Sequence, residues 1–129
     1  MSSAGYVLDA SALLAALNEE PGAQSIQAVL DEAQISAVNL SEVVAKLQDR
    51  GVPDAEIDEI LIDLDLRVAP FDAEQAVRAG KLRAMTRGQG LSLGDRACLA
   101  LAASTGSTVL TTDKAWTNLT LDVRIEQAR

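Results

Sequence analysis

The stretch Tyr6-Val7-Leu8-Asp9-Ala10-Ser11-Ala12-Leu13-Leu14 decides how this chain reads. The short apolar run Tyr6 to Leu8 predicts a buried strand. It ends on an acid, Asp9, and a helical pattern from Ser11 to Leu17 follows at once. In an open α/β sheet, ligands bind outside the carboxyl ends of the strands. Asp9 therefore stands where chemistry is expected. Three later carboxylates, Glu42, Asp95 and Asp113, occupy comparable junctions, and together the four read as one metal site.

Outward from that stretch, strands and helices alternate. Asn18 and Pro21-Gly22 end the first helix. Ala23 to Asp31 predicts a second helix and Gln34 to Val38 a short strand. Asn39 begins a third helix, with Glu42 at the capping-box spacing and Gly51 as its stop. Pro53 opens a fourth helix, striped by Ile57, Ile60, Leu61 and Leu64. Leu66 to Phe71 holds a strand and Ala73 to Thr86 a helix. Ser92 caps the next helix, Gly94 to Ser104, which is apolar all round from Ala97 to Ala103 and so predicted buried. Thr108 to Thr111 is a strand, Trp116 sits in a short helical turn, and Leu121 to Ile125 reads as a last edge strand. This alternation predicts a parallel sheet with helices on both faces.

Composition narrows the chemistry. At 129 residues, the expectation is a single domain over 1–129. Its hydrophobic fraction of 48% supports a packed core. There is no histidine, which removes serine–histidine triads, histidine acid–base ribonucleases and histidine zinc sites. The single cysteine, Cys98, reads as a small core residue. The remaining metal ligands are oxygens, which favour Mg²⁺ or Mn²⁺. One cysteine, no basic-apolar leader in Met1 to Gly5 and no membrane-length apolar run suggest the cytoplasm.

The formal charge of −8 argues against a general nucleic-acid-coating surface. The charge is segregated, however. Asp49 to Glu74 is strongly acidic, whereas Gln75 to Gly94 contains no acid and holds Arg78, Lys81, Arg83 and Arg87. Alone, that basic run reads as a solvated helix face.

Each acid also has a plain structural reading. Asp9 can cap the helix after it, Glu42 and Asp95 can be capping-box members, and Asp113 can be a turn residue. The set is harder to dismiss. Two unit charges about 4 Å apart repel by on the order of 4 kcal/mol at an effective dielectric near 20. Helix N-termini offset only about 0.3–1 kcal/mol each. If the sheet brings the four together, a divalent cation is the natural compensation.

Four segments carry a resemblance. Val7-Leu8-Asp9-Ala10-Ser11-Ala12, Asn39-Leu40-Ser41-Glu42-Val43, Ser92 to Ala100 and Thr111-Thr112-Asp113-Lys114-Ala115-Trp116 resemble, in order, the four motifs of PIN-domain ribonucleases. They are most similar to the VapC toxins of bacterial toxin–antitoxin pairs. The resemblance implies a PIN-like three-layer α/β/α sandwich with a central, mostly parallel sheet. It implies Mg²⁺- or Mn²⁺-dependent endoribonuclease activity and inhibition by a cognate VapB-type antitoxin. The family's acids carry over onto Asp9, Glu42, Asp95 and Asp113, as catalytic and metal-binding residues. Ser11 and Thr112 match polar positions expected to support the ligands from behind. Arg78, Lys81, Arg83, Arg87 and Arg96 are candidate RNA contacts, and a homodimer is expected.

Two other classes fit an acidic pocket at strand ends. A receiver-like phosphoacceptor signalling domain also binds Mg²⁺ there, but it needs an acid pair on the first strand-end loop, and Asp9 has no such neighbour. A non-catalytic PIN-fold binding module would keep the fold for partner association alone. Mg²⁺-dependent RNA cleavage separates the toxin reading from both.

Overall fold

The computed structural model describes residues 5–118 and 121–129. Five strands form one sheet: β1 (Tyr6–Leu8), β2 (Ala33–Ser36), β3 (Arg67–Ala69), β4 (Thr108–Thr111) and β5 (Ile125–Gln127). Their order is β3-β2-β1-β4-β5, and every pairing is parallel. The helices are α1 (Ala10–Leu17), α2 (Ala23–Gln27), α3 (Ala37–Asp49), α4 (Asp54–Leu64), α5 (Ala73–Thr86) and α6 (Leu93–Thr105).

Strand periodicity divides the core in two. Leu8, Ile35 and Leu110 pack with Leu13, Ile26, Val43, Leu47 and Ile57 in one buried cluster. Val7 and Val109 pack with Cys98, Leu99, Leu101 and Trp116 in the other. Successive side chains of a strand point to opposite faces, so β1 and β4 each feed both clusters. The nearly unbroken apolar run of α6 suits a helix lying against the sheet and also packed against α3 and α5. Gly106 ends it in a left-handed conformation, φ 68°.

The sheet order makes β1 central. The chain goes from β1 outward through β2 to β3, then crosses back to put β4 on the other side of β1. The reversal lies between β1 and β4, which is where an open parallel sheet forms a crevice at its carboxyl edge. Asp9 follows β1 directly and Thr111 ends β4.

Several boundaries differ from the sequence expectation. The second helix stops at Gln27, and Leu30–Glu32 form a 3₁₀ turn, because β2 already begins at Ala33 opposite Tyr6. The third helix does not begin at Asn39. Ser36 caps it, its hydroxyl accepting the Val38 N–H at 3.2 Å, and Asn39 lies inside the first turn. Pro53 occupies the cap position, one residue before α4 begins. The last strand is Ile125–Gln127 rather than Leu121 to Ile125, fixed by the pairing of Val109 with Ile125 and Thr111 with Gln127. The predicted start of that strand lies directly after residues outside the described range, 119–120.

Ser36 is buried, so loss of its hydroxyl leaves the α3 N-terminus without its side-chain partner. Ser36→Ala is expected to lower stability by about 1 kcal/mol. Chemical denaturation should show the shift in midpoint with an unchanged slope, and an unchanged midpoint would mean water replaces the cap at no cost.

Candidate active site

Asp9 is built into the crevice by backbone geometry. Its extended conformation (φ −86°, ψ 175°) makes it the N-cap of α1. The Ala12 N–H and the Ser11 hydroxyl each donate to Oδ1 at 2.8 Å, and the Thr111 hydroxyl donates to Oδ2. The supporting groups hold one another in turn. Thr112 donates its backbone N–H to Ser11 Oγ at 3.2 Å, and Asp113 donates its backbone N–H to Thr111 Oγ1 at 3.0 Å. The end of β4 is thereby tied to the start of α1 through a single carboxylate.

Asp9 is only 5% exposed. Burial raises its pKa above the ordinary 3.8, the three hydrogen bonds oppose that rise, and the charge of Asp95 adds to it. Asp9 caps α1, as its structural reading expects, and the charge of Asp95 also reaches it. The Cys98 thiol, fully buried beneath, is pushed well up by burial and then by the charges of Asp9, Asp95 and Glu42. The charges of Asp9, Glu42 and Asp95 thus all reach Cys98.

Asp95 lies in the first turn of α6 within a reciprocal capping box. The Ser92 N–H donates to Asp95 Oδ2 at 3.0 Å, and the Asp95 N–H donates to Ser92 Oγ at 3.1 Å. Glu42 is not a capping-box member. Asn39, 1% exposed, donates through Nδ2 to Glu42 Oε1 and to the Gly94 carbonyl, both at 3.0 Å. Its Oδ1 is buried with no hydrogen-bond partner among the described residues. Gly94 matters for a steric reason: a Cβ there would overlap both Glu42 carboxylate oxygens. Asp113 stands apart at the exposed rim, its Oδ1 accepting the Ala115 N–H at 3.0 Å in the 3₁₀ turn Lys114–Asn118.

The donor set is all oxygen and suits a hard divalent cation. Asp9, Asp95 and Glu42 each keep an oxygen with at least one free lone pair. As the side chains stand, no three acids among the described residues surround a common point closely enough to hold an ion. Closure around one requires side-chain rotation, which the exposed Asp113 can make more readily than the buried Asp9 or the Asn39-held Glu42.

The sequence reading misses three residues here: Thr111, Asn39 and Gly94. Thr111 is told from Thr112 only by the register of β1 and β4. Leu8 pairs with Leu110, so the next residue on each strand places Thr111, not Thr112, level with Asp9. Thr112 contributes a backbone N–H to the network instead. Trp116, 1% exposed, packs in the core. Of the candidate RNA contacts, Arg78 pairs with Glu74 at 3.3 Å and Lys81 is exposed on α5. Arg83, Arg87 and Arg96 line a common hollow.

The PIN domain family model matches residues 6–120, nearly the whole described fold. The chain belongs to the PIN-domain family. Among curated proteins it is 36% identical over 114 residues to Ribonuclease VapC42 of Mycobacterium tuberculosis, covering 81% of this chain and 87% of that protein. It is equally similar to VapC ribonuclease Mb2780c of Mycobacterium bovis. Among solved structures, the DNA-bound VapBC complex of Salmonella typhimurium superposes with TM-score 0.78 at 19% identity, over 97% of this chain and 98% of that one. A toxin-antitoxin complex from Klebsiella pneumoniae gives 0.73 at 17% identity, covering 99% and 98%. M. tuberculosis VapC20, described as a sarcin-ricin loop cleaving toxin, gives 0.69 at 19% identity, over 92% of this chain and 98% of that chain. The membership places this chain among the VapC-type PIN proteins, and the shared fold is the one built here from the sheet order.

Because the folded Asp9 pKa is raised, the folded state binds the Asp9 proton more tightly than the unfolded chain. Its contribution to metal-free stability is fully present below 3.8 and falls as pH rises from there through the raised folded value. Asp9→Asn should remove that fall and leave metal-free stability at neutral pH unchanged or higher, because the amide oxygen still caps α1. Asp9→Ala, which loses the cap, should cost about 1 kcal/mol. Melting curves of the three proteins from pH 3 to 8 read both effects, and an Asn variant markedly less stable than wild type at neutral pH would refute the repulsion argument.

Proposed function

We propose that this protein is a VapC-type endoribonuclease toxin that depends on Mg²⁺ or Mn²⁺, cleaves cellular RNA and is neutralised by a VapB-type antitoxin. The observation that carries the reading is Asp9. A carboxylate buried at the sheet's reversal point is held by three donors and opposed by a neighbouring acid, in a chain of the VapC-type PIN group. Buried charges of this kind are paired or bind metals, and Asp9 has no basic partner among the described residues. Neither the receiver nor the binding-module reading gains support from the comparisons.

The residues divide the work. Asp9 and Asp95 are the principal metal ligands, with Glu42 and Asp113 completing the set. The metal, when bound, lowers the pKa of a coordinated water and offsets the charge developing on the phosphate. Ser11 and Thr111 keep the Asp9 carboxylate from rotating and oppose the rise of its pKa that burial causes. Asn39 fixes Glu42 through Oε1, leaving Oε2 to take the proton from the attacking water. Thr112 and the backbone at Asp113 keep the β4 end in place behind these groups. The solved VapBC complexes favour a protein antitoxin as partner; a second copy of the chain is the other expected partner.

Purified protein should cleave RNA with Mg²⁺ or Mn²⁺ and stop with EDTA. Asp9→Asn should bring cleavage to background. Gly94→Ala should cut it by about 10- to 100-fold, the loss typical of misplacing a group that orients a metal site. Alanine suits a helix, and the group it meets is the end of a flexible side chain, so the melting temperature should hardly move. Induced expression should slow growth, relieved by Asp9→Asn or by co-expression of the antitoxin. Metal-independent cleavage, or full cleavage by Asp9→Asn, would overturn the assignment.

A further inference from the structure

Where α5 meets the start of α6, Arg83, Thr86, Arg87, Gly90, Leu91 and Arg96 line a hollow of about 180 Å³. Three of its six residues are arginines from separate turns: Arg83 in α5, Arg87 in the 3₁₀ turn Arg87–Gln89, and Arg96 in the first turns of α6. In a chain with 19 acids against 11 bases, none of the three has an acidic partner among the described residues. Arg78, on the same helix, does have one.

Arg96 is prepared for a ligand. Its Nη1 donates to the Ala79 carbonyl at 3.1 Å, which fixes the guanidinium against α5. Its Nε is buried and without a hydrogen-bond partner among the described residues. A buried donor left unpaired is unfavourable until something accepts from it. Fixed guanidinium forks match the oxygens of a phosphate, and three unpaired cations around one hollow select an anion.

The hollow is also next to the chemistry. Arg96 directly follows Asp95, and adjacent residues of a helix project about 100° apart. Asp95 bears on Asp9, while Arg96 reaches toward α5. One turn of helix thus serves two neighbouring sites of opposite charge.

We infer that the Arg83–Arg87–Arg96 hollow is a phosphate subsite that holds one backbone phosphate of the RNA beside the cut. This rests on the ribonuclease reading above and deepens it. The acids would hold the cations that act on the reacting phosphate, the arginines hold its neighbour directly, and RNA is gripped at two points across the carboxyl edge of the sheet. Arg78 and Lys81 lie outside the hollow and take no part.

The test uses the full chain carrying Asp9→Asn, so that RNA is bound without being cut. Affinity for a short single-stranded RNA is measured from low to high KCl. Arg83→Gln, Arg87→Gln and Arg96→Gln are each expected to weaken binding about tenfold at low salt. Each should flatten the slope of log K against log salt, by at most about 0.7, the value of one whole phosphate contact for single-stranded RNA. Arg78→Gln should change neither. Inorganic phosphate should compete in the parent and lose that effect in the arginine variants. Arg83 and Arg87 are exposed, so their variants keep the test sound if Arg96→Gln loosens α5 from α6. If wild-type protein cleaves RNA but all three variants bind it with parental affinity and slope, the subsite is refuted and the ribonuclease stands. The same holds if the variants lose only an acidic protein partner. If wild-type protein neither cleaves nor binds RNA, both readings fall.

Discussion

Burial of one carboxylate at the reversal of the sheet is the constraint on which this structure turns. Taking Asp9 out of water is unfavourable, and the protein offsets it locally with a backbone N–H from α1, a hydroxyl two residues along and a hydroxyl from β4. Those donors are available only if β1 and β4 pair in the register Leu8 to Leu110 and α1 starts immediately after β1. Sheet order, strand register and helix start are therefore all read out at this side chain. The three bonds reduce the penalty without cancelling it, and a neighbouring acid adds to it. A fold gains nothing in stability from such a pair, which is why the arrangement points to a cation and to chemistry.

Glu42 is held by a different device. α3 and α6 approach closely because Gly94 has no side chain, and the space so left is filled by Glu42. Asn39 bridges the two helices from below, one amide hydrogen to each side. Amide and glycine act together: the glycine lets the acid in and the asparagine stops it from swinging out. Beneath them Cys98 is too deeply buried and too surrounded by negative charge to ionise, which fits it as packing and not as a nucleophile.

Much of this was legible in the sequence. Apolar runs marked β1 and β4, capping residues marked α6, and alternation gave a parallel sheet with two helical faces. The junction acids stood out because a strand-end position has chemical meaning in such a sheet. What misled was local and had competing local signals. Asn39 and Glu42 have capping-box spacing, yet Ser36, three residues earlier, is an equally good cap and wins because β2 has to end there to stay level with β1. Once the helix starts earlier, Asn39 turns inward and its amide becomes a tertiary bridge, a role that no one-dimensional pattern shows. Thr111 and Thr112 are alike as residues, and only the register between β1 and β4 tells which faces Asp9. The last strand was misplaced because its short pairing depends on β4 rather than on any apolar run of its own.

The net charge of −8 looks at odds with a nucleic-acid substrate until the charges are located. The acids of α4 lie on a helix packed against α3, while the arginine hollow is formed where α5 and the 3₁₀ turn Arg87–Gln89 meet α6. Screening in physiological salt acts over about 8 Å, so exposed charges on separate helices scarcely cancel one another. What an approaching phosphate meets is the local field. Here that field alternates: uncompensated arginines on one side of the α6 N-terminus and carboxylates on the other. On the proposed reading, the acids alone would repel RNA and would admit it once cations neutralise them. A chain with a uniformly basic surface would bind RNA with or without metal. On the proposed reading, productive binding would be coupled to metal occupancy, because the acids that would bind the ion are the same groups that otherwise exclude the phosphate.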